Sequence, residues 1–85
     1  MIIRSQDKKS TTTDLNLEIY INEKKNEYVI GNVMRGRYGT YSTEEKAIKV
    51  LDMICNFYAE HLEELKCDEP PFVRAFFTMP QDSEV

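Results

Sequence analysis

The sequence predicts an α+β fold, a single domain over residues 1–85 with a curved antiparallel sheet in ββββαβ order and one long helix packed on one face. Three observations predict it. Residues 42–66 repeat apolar side chains at helical spacing, with no Gly or Pro to interrupt them. Residues 15–21 alternate strictly between apolar and polar, the mark of a strand with one face in the core. The remaining short runs rich in Tyr, Val, Ile and Phe are bounded by turn residues, as strands are.

Met1 to Arg4 reads as a first short strand, and Ser5 to Asp14 (SQDKKSTTTD) as a wholly polar loop. In the next strand Leu15, Leu17, Ile19 and Ile21 point one way, and Asn16, Glu18 and Tyr20 the other. A turn over residues 22–26 leads to a third strand, Glu27 to Met34, with Gly31 placed for a bulge. Arg35-Gly36-Arg37 forms the next hairpin turn, and Tyr38 to Tyr41 a short fourth strand entering the helix.

Ser42 is the expected N-cap. Glu45 lies three residues on and completes a capping box, and Glu44 and Glu45 sit at the positive end of the helix dipole. The apolar stripe is Ala47, Leu51, Ile54, Tyr58, Leu62 and Leu65, widened by Ile48, Val50, Cys55 and Phe57. The opposite face carries Glu45, Lys49, Asp52, Asn56, Glu60 and Glu63. The helix stops before Asp68-Glu69-Pro70-Pro71, because proline disfavours helical geometry in the residue before it. Phe72 to Met79 gives a last strand that returns beside the first, and residues 81–85 a polar tail. Phe76 and Phe77 then face opposite sides, so one helix cannot cover both. That two-faced sheet predicts a homo-oligomer, with a dimer favoured.

The net charge of −4 and pI near 4.9 argue against direct binding to nucleic acid or to an anionic membrane. The charge is split along the chain. Residues 1–41 hold seven Lys/Arg against five Asp/Glu (+2), and residues 42–85 hold four against ten (−6). Cys55 and Cys67, twelve residues apart on one helix, would be separated by roughly 18 Å, far beyond disulfide reach. Free thiols, the lack of a signal peptide and the lack of a long apolar run predict a soluble protein of the cytoplasm.

No enzyme template fits, and no cofactor is expected. His61, the one histidine, sits at the edge of the apolar face and reads as structural. Cys55 reads as a small core residue, since a nucleophile wants a cationic neighbour or a helix N-terminus. Two cysteines and one histidine without C-x-x-C spacing make no zinc site. Glu63, Glu64, Asp68 and Glu69 have no calcium-loop spacing, and three glycines build no phosphate-cradling loop.

Two surfaces remain. Arg35 and Arg37 flank Gly36 with Tyr38 and Tyr41 close by, a set that can fork onto phosphate or carboxylate and stack on a ring. The same residues also describe an ordinary exposed hairpin. Lys8, Lys9, Lys24 and Lys25 could extend a basic rim suited to a small anionic ligand. On the helix, Glu45, Asp52, Glu60, Glu63 and Glu64, extended by Asp68 and Glu69, could mimic a phosphate backbone and occupy the basic groove of a nucleic-acid enzyme.

Three segments carry a resemblance: Met1-Ile2-Ile3-Arg4-Ser5-Gln6-Asp7-Lys8, residues 41–55 (YSTEEKAIKVLDMIC) and residues 77–84 (FTMPQDSE). They resemble small proteins encoded by phages and prophages of Gram-positive bacteria. The resemblance covers the two ends and the helix, and residues 9–40 lie outside it. It brings no catalytic residues. It implies an accessory phage product acting in the host cell, of a kind that often opposes host defence by binding. The expected function is therefore a non-enzymatic binding protein that masks a host protein or sequesters a nucleotide-like anion. The alternatives are the acidic nucleic-acid mimic and a structural homodimer without a ligand.

Overall fold

The fold is that of a computed structural model, which describes residues 2–13, 16–32, 34, 36–61 and 76–85. The elements are β1 (Ile2–Arg4), β2 (Thr11–Thr12), β3 (Glu18–Asn22), β4 (Glu27–Asn32), β5 (Gly36–Tyr41), α1 (Glu44–Glu60), β6 (Phe76–Thr78) and a 3-10 turn, Asp82–Glu84. The chain is α+β with one helix. The expected curved sheet is realised as two three-stranded sheets, ordered β2-β1-β6 and β3-β4-β5.

The strand from the end of the chain does return beside the first. It runs parallel to β1, pairing Ile2 with Phe76, Ile3 with Phe77 and Arg4 with Thr78. Within residues 5–14, expected as loop throughout, Thr11 and Thr12 pair with Arg4 and Ile3 as β2. Two threonines carry no apolar alternation, so only their partner strand reveals them. In the second sheet, Ile19 lies opposite Ile30 and Ile21 opposite Tyr28. Asn26 closes the β3–β4 turn with φ 51°, a left-handed conformation that asparagine tolerates. The β4–β5 register shifts between Ile30 and Gly31, where Ile30 pairs with Gly39 and Gly31 with Arg37, so the extra residue of the bulge is Tyr38 on β5. Gly36 and Arg37 belong to β5 rather than to a turn, and Gly36 has φ 141°, which glycine adopts without strain. Arg35 lies outside the described residues.

The helix begins one residue later than expected. Its N-cap is Thr43, whose Oγ1 accepts from the Lys46 N–H at 3.2 Å. Ser42 is otherwise engaged: its N–H and hydroxyl both donate to Asp82 Oδ1, at 2.8 and 3.1 Å. With the cap at Thr43, the third helical residue is Lys46, and the Ser42–Glu45 capping box does not form. The last described turn closes at His61, whose N–H donates to Phe57 O; residues 62–66 of the expected helix lie outside the described set.

α1 packs against β4 and β5. Its buried line is Ala47, Val50 and Ile54, with Leu51 and Phe57 half-buried beside it. Ile48, Cys55 and Tyr58, expected on the core side, are exposed. The stripe read from the sequence was wide enough to admit them, and the sheet covers only its Val50 side. Ile3, Ile30, Tyr38, Tyr41, Phe77 and Met79 complete the core. Each fully buried Val, Ile or Met side chain there contributes about 1.5–3 kcal/mol relative to exposure.

Gln6 joins the two sheets. Its side-chain amide accepts from Thr40 N–H at 3.0 Å and donates to Thr40 C=O and Pro80 C=O, each at 3.1 Å. Its backbone N–H donates to Tyr38 C=O at 2.7 Å. One side chain thereby acts as a short extra strand along the outer edge of β5. The C-terminal residues, expected as a loose polar tail, are tied down as well. Gln81 Nε2 donates to Gln6 C=O at 2.7 Å, Lys46 Nζ donates to Asp82 C=O at 3.0 Å, and Val85 packs on the core.

Candidate ligand-binding surface

The period-2 alternation of β1 and β6 builds the surface. Ile3 and Phe77 point into the core, so Ile2, Arg4, Phe76 and Thr78 stand on the outer face of the sheet. Phe76 is 65% exposed, a large aromatic ring left in water. The loop from Ser5 to Ser10 rises beside it and brings Lys8 and Lys9 to the same side. Together they line an open depression of about 550 Å³, with Ser10 and Thr11 at its edge. Among the described residues its charged lining is Arg4, Lys8 and Lys9, with no acidic side chain.

The basic loop is held in one shape. Ser5 N–H donates to Ser10 C=O at 2.8 Å, and Ser10 N–H donates to Ser5 Oγ at 3.0 Å. Asp7 accepts from the Ser5 hydroxyl and, at 2.9 Å, from Lys9 N–H. These two hydrogen bonds, Ser5 first, lower the Asp7 pKa below its ordinary value. Lys8 takes φ 65°, and its carbonyl accepts from Arg4 Nε and Nη2 at 3.3 and 3.2 Å. The Arg4 guanidinium is thus tied to the loop that carries both exposed lysines. A pre-shaped cationic rim over an exposed ring suits an anion that carries a flat group of its own.

Of the residues singled out from the sequence, Arg37 and Tyr38 line one depression, and Tyr41 lies apart from them. Tyr41 is 1% exposed and Tyr38 is buried, so neither ring offers a face to a ligand. This corrects the expected stacking role: at the bulged entry to the helix both rings turn into the core. Tyr41 donates its hydroxyl to Pro80 C=O at 2.8 Å, and burial, then the charges of Asp82 and Glu84, push its pKa well above the ordinary phenol value. Arg37 is exposed and lines, with Tyr38, Asp7 and Thr40, a separate depression of about 220 Å³. On α1, Glu45, Asp52 and Glu60 are exposed. Glu63, Glu64, Asp68 and Glu69 lie outside the described residues.

No family model, no curated protein and no solved structure matches this chain.

His61 stacks on Phe57 with ring centroids 4.1 Å apart, and its Nδ1 lies 2.9 Å from Phe57 C=O, a contact that requires the proton on Nδ1. Cys55, expected in the core, is an exposed free thiol on the helix flank. Cys67 lies outside the described residues. Among the described residues no group of three or more His, Cys, Asp or Glu side chains is placed to hold a metal, and no helix is long and apolar enough to cross a membrane. The structure sets Lys8 and Lys9 beside Arg4 and Phe76, whereas the sequence offered them, with Lys24 and Lys25, as an extension of the Arg35–Arg37 hairpin. Arg4 and Phe76 escaped it, because their approach depends on the register of two strands from opposite ends of the chain.

Proposed function

We propose that the protein is a non-enzymatic binding protein that sequesters a small, nucleotide-like anion on the outer face of β2-β1-β6. The observation that carries this reading is the exposed Phe76 ring set beside Arg4, Lys8 and Lys9 in one depression. Phe76 stacks on the ring of the ligand, and the two lysines with Arg4 hold its phosphate. The resemblance to phage accessory proteins supplies the setting, a host cytoplasm in which capturing a signalling nucleotide would blunt a defence response.

Calorimetric titration with a panel of mono- and dinucleotides and with inorganic phosphate tests it. A nucleotide binds with measurable heat and phosphate alone binds more weakly. Phe76→Ala lowers affinity about 5- to 150-fold, the worth of one stacked ring. Lys8→Ala with Lys9→Ala weakens binding and flattens its salt dependence, while the melting temperature holds. Arg37→Ala leaves affinity unchanged. Loss of binding in Arg37→Ala with retention in Phe76→Ala would move the site to the smaller depression, and no binding across the panel sinks the proposal.

A second reading rests on α1, where Glu45, Asp52 and Glu60 are all exposed on one side. Such a face fits the basic groove of a nucleic-acid enzyme, and that complex would dissociate steeply with salt.

A further inference from the structure

β3 is the terminal strand of its sheet, and among the described residues nothing pairs with its outer side. The opposite edge of that sheet, β5, is closed by Gln6. Proteins blunt a free edge with proline, lysine, a bulge or an inward charge. β3, Glu-Ile-Tyr-Ile-Asn, has none of these, and its Ile21 is 46% exposed.

A second feature lies on the same side of the molecule. Ile48, Leu51, Cys55 and Tyr58 recur at spacings of three and four along one flank of α1. With Leu17, just before β3, the last three of these line an apolar depression of about 240 Å³. Ile48 and Tyr58 are exposed, as is Cys55. Ile19 and Ile21 share the helix-side face of the sheet, opposite Ile30 and Tyr28. A strand edge with no partner strand among the described residues therefore meets apolar side chains at one margin.

We infer that this margin is the interface with a second copy of the chain, formed by antiparallel pairing of β3 with itself. The two-fold axis passes through Tyr20 and stands perpendicular to the sheet. Ile19 of each copy then lies opposite Ile21 of the other, and Glu18 opposite Asn22. The strand's one charged residue faces a neutral amide, so no like-charge pair opposes the register. An axis of this kind keeps both helices on the same side of the resulting six-stranded sheet, which brings the two apolar flanks together. An isologous contact needs such self-complementarity, and a five-residue strand with its own inverted match provides it. The ligand face proposed above lies on the other sheet, and the two proposals stand or fall separately.

Sedimentation equilibrium and light scattering from low micromolar to sub-millimolar protein test the inference. The mass rises from 10.0 kDa towards twice that value as concentration increases. Ile21→Lys and Tyr58→Glu, both at exposed positions, each weaken the dimer by about tenfold or more, while Phe76→Lys leaves it intact. Hydrogen exchange on the unmodified protein gives a readout independent of any variant. Amides of Glu18–Asn22 gain protection as concentration rises, and those of β6 do not. A wild type monomeric throughout overturns the inference. So does a dimer that survives both substitutions, one that Phe76→Lys disperses, or β3 exchange that ignores concentration.

Discussion

Gly31 is where β4 and β5 lose register, and it has no room for a side chain. A Cβ there would lie 2.3 Å from the carbonyl oxygen of Gly36 and 3.0 Å from the Cα of Arg37, both backbone atoms that cannot swing aside. Gly31→Ala therefore destabilises the fold by about 1–3 kcal/mol or more. At this chain length that is a fall in melting temperature of roughly 4–8 °C for each kcal/mol, readable by calorimetry. A drop within error would mean that the bulge relaxes freely. The bulge itself was legible, because a glycine inside a Tyr/Val/Ile run has few other reasons to be there. The fates of Tyr38 and Tyr41 were not. Tyr38 is the residue that the register shift leaves without a partner on β4, and Tyr41 lies opposite Tyr28 on the same face of the sheet as the buried Ile30, placements that depend on the pairing of two strands.

At the scale of elements, the start of α1 depends on the C-terminal turn. Asp82 accepts from Ser42 N–H, from the Ser42 hydroxyl and from Lys46, and these contacts hold its pKa below the ordinary carboxylate value. Asp7 is lowered as well. A group depressed in the folded state stabilises it above its unfolded pKa, about 4, and that contribution disappears as pH falls through the lower folded value. The melting temperature should thus be flat from neutrality down to about pH 4 and decline below it. Asp82→Asn should lower the plateau slightly and shrink the acid decline, as a series of thermal melts would show. An identical decline in the variant would assign the acid sensitivity to other carboxylates. The sequence placed α1 and its acidic outer face correctly and missed the cap by one residue. Ser42 and Thr43 are equally good caps locally, and only Asp82, forty residues away, decides between them.

Across the whole molecule, the two sheets share one apolar core, and at its margin polar contacts around one side chain join them. Gln6→Ala removes the amide that satisfies Thr40 N–H and spans to Pro80 C=O, at a cost of about 1–3 kcal/mol. Urea unfolding should show the midpoint shifted and the slope unchanged, because the surface exposed on unfolding stays the same. A reduced slope would instead indicate that the sheets had come apart before the core. None of this was local enough to read from the chain, although the class of the fold was: periodicity reports each element's own face, and Gln6 belongs to no element.

The span bridged by Gln6 and Pro80, 74 residues, is nearly the entire chain. During synthesis β1 leaves the ribosome before the hairpins and the helix and waits for β6, which follows them. Helix and hairpin contacts close early, since they are near in sequence, and the β1–β6 ladder closes late because its loop entropy must be met first. The face that carries Arg4 and Phe76 therefore exists only once β6 has been made and has paired with β1. A newborn chain stopped short of Phe76 would have a helix and a hairpin sheet without the depression that β1 and β6 line together.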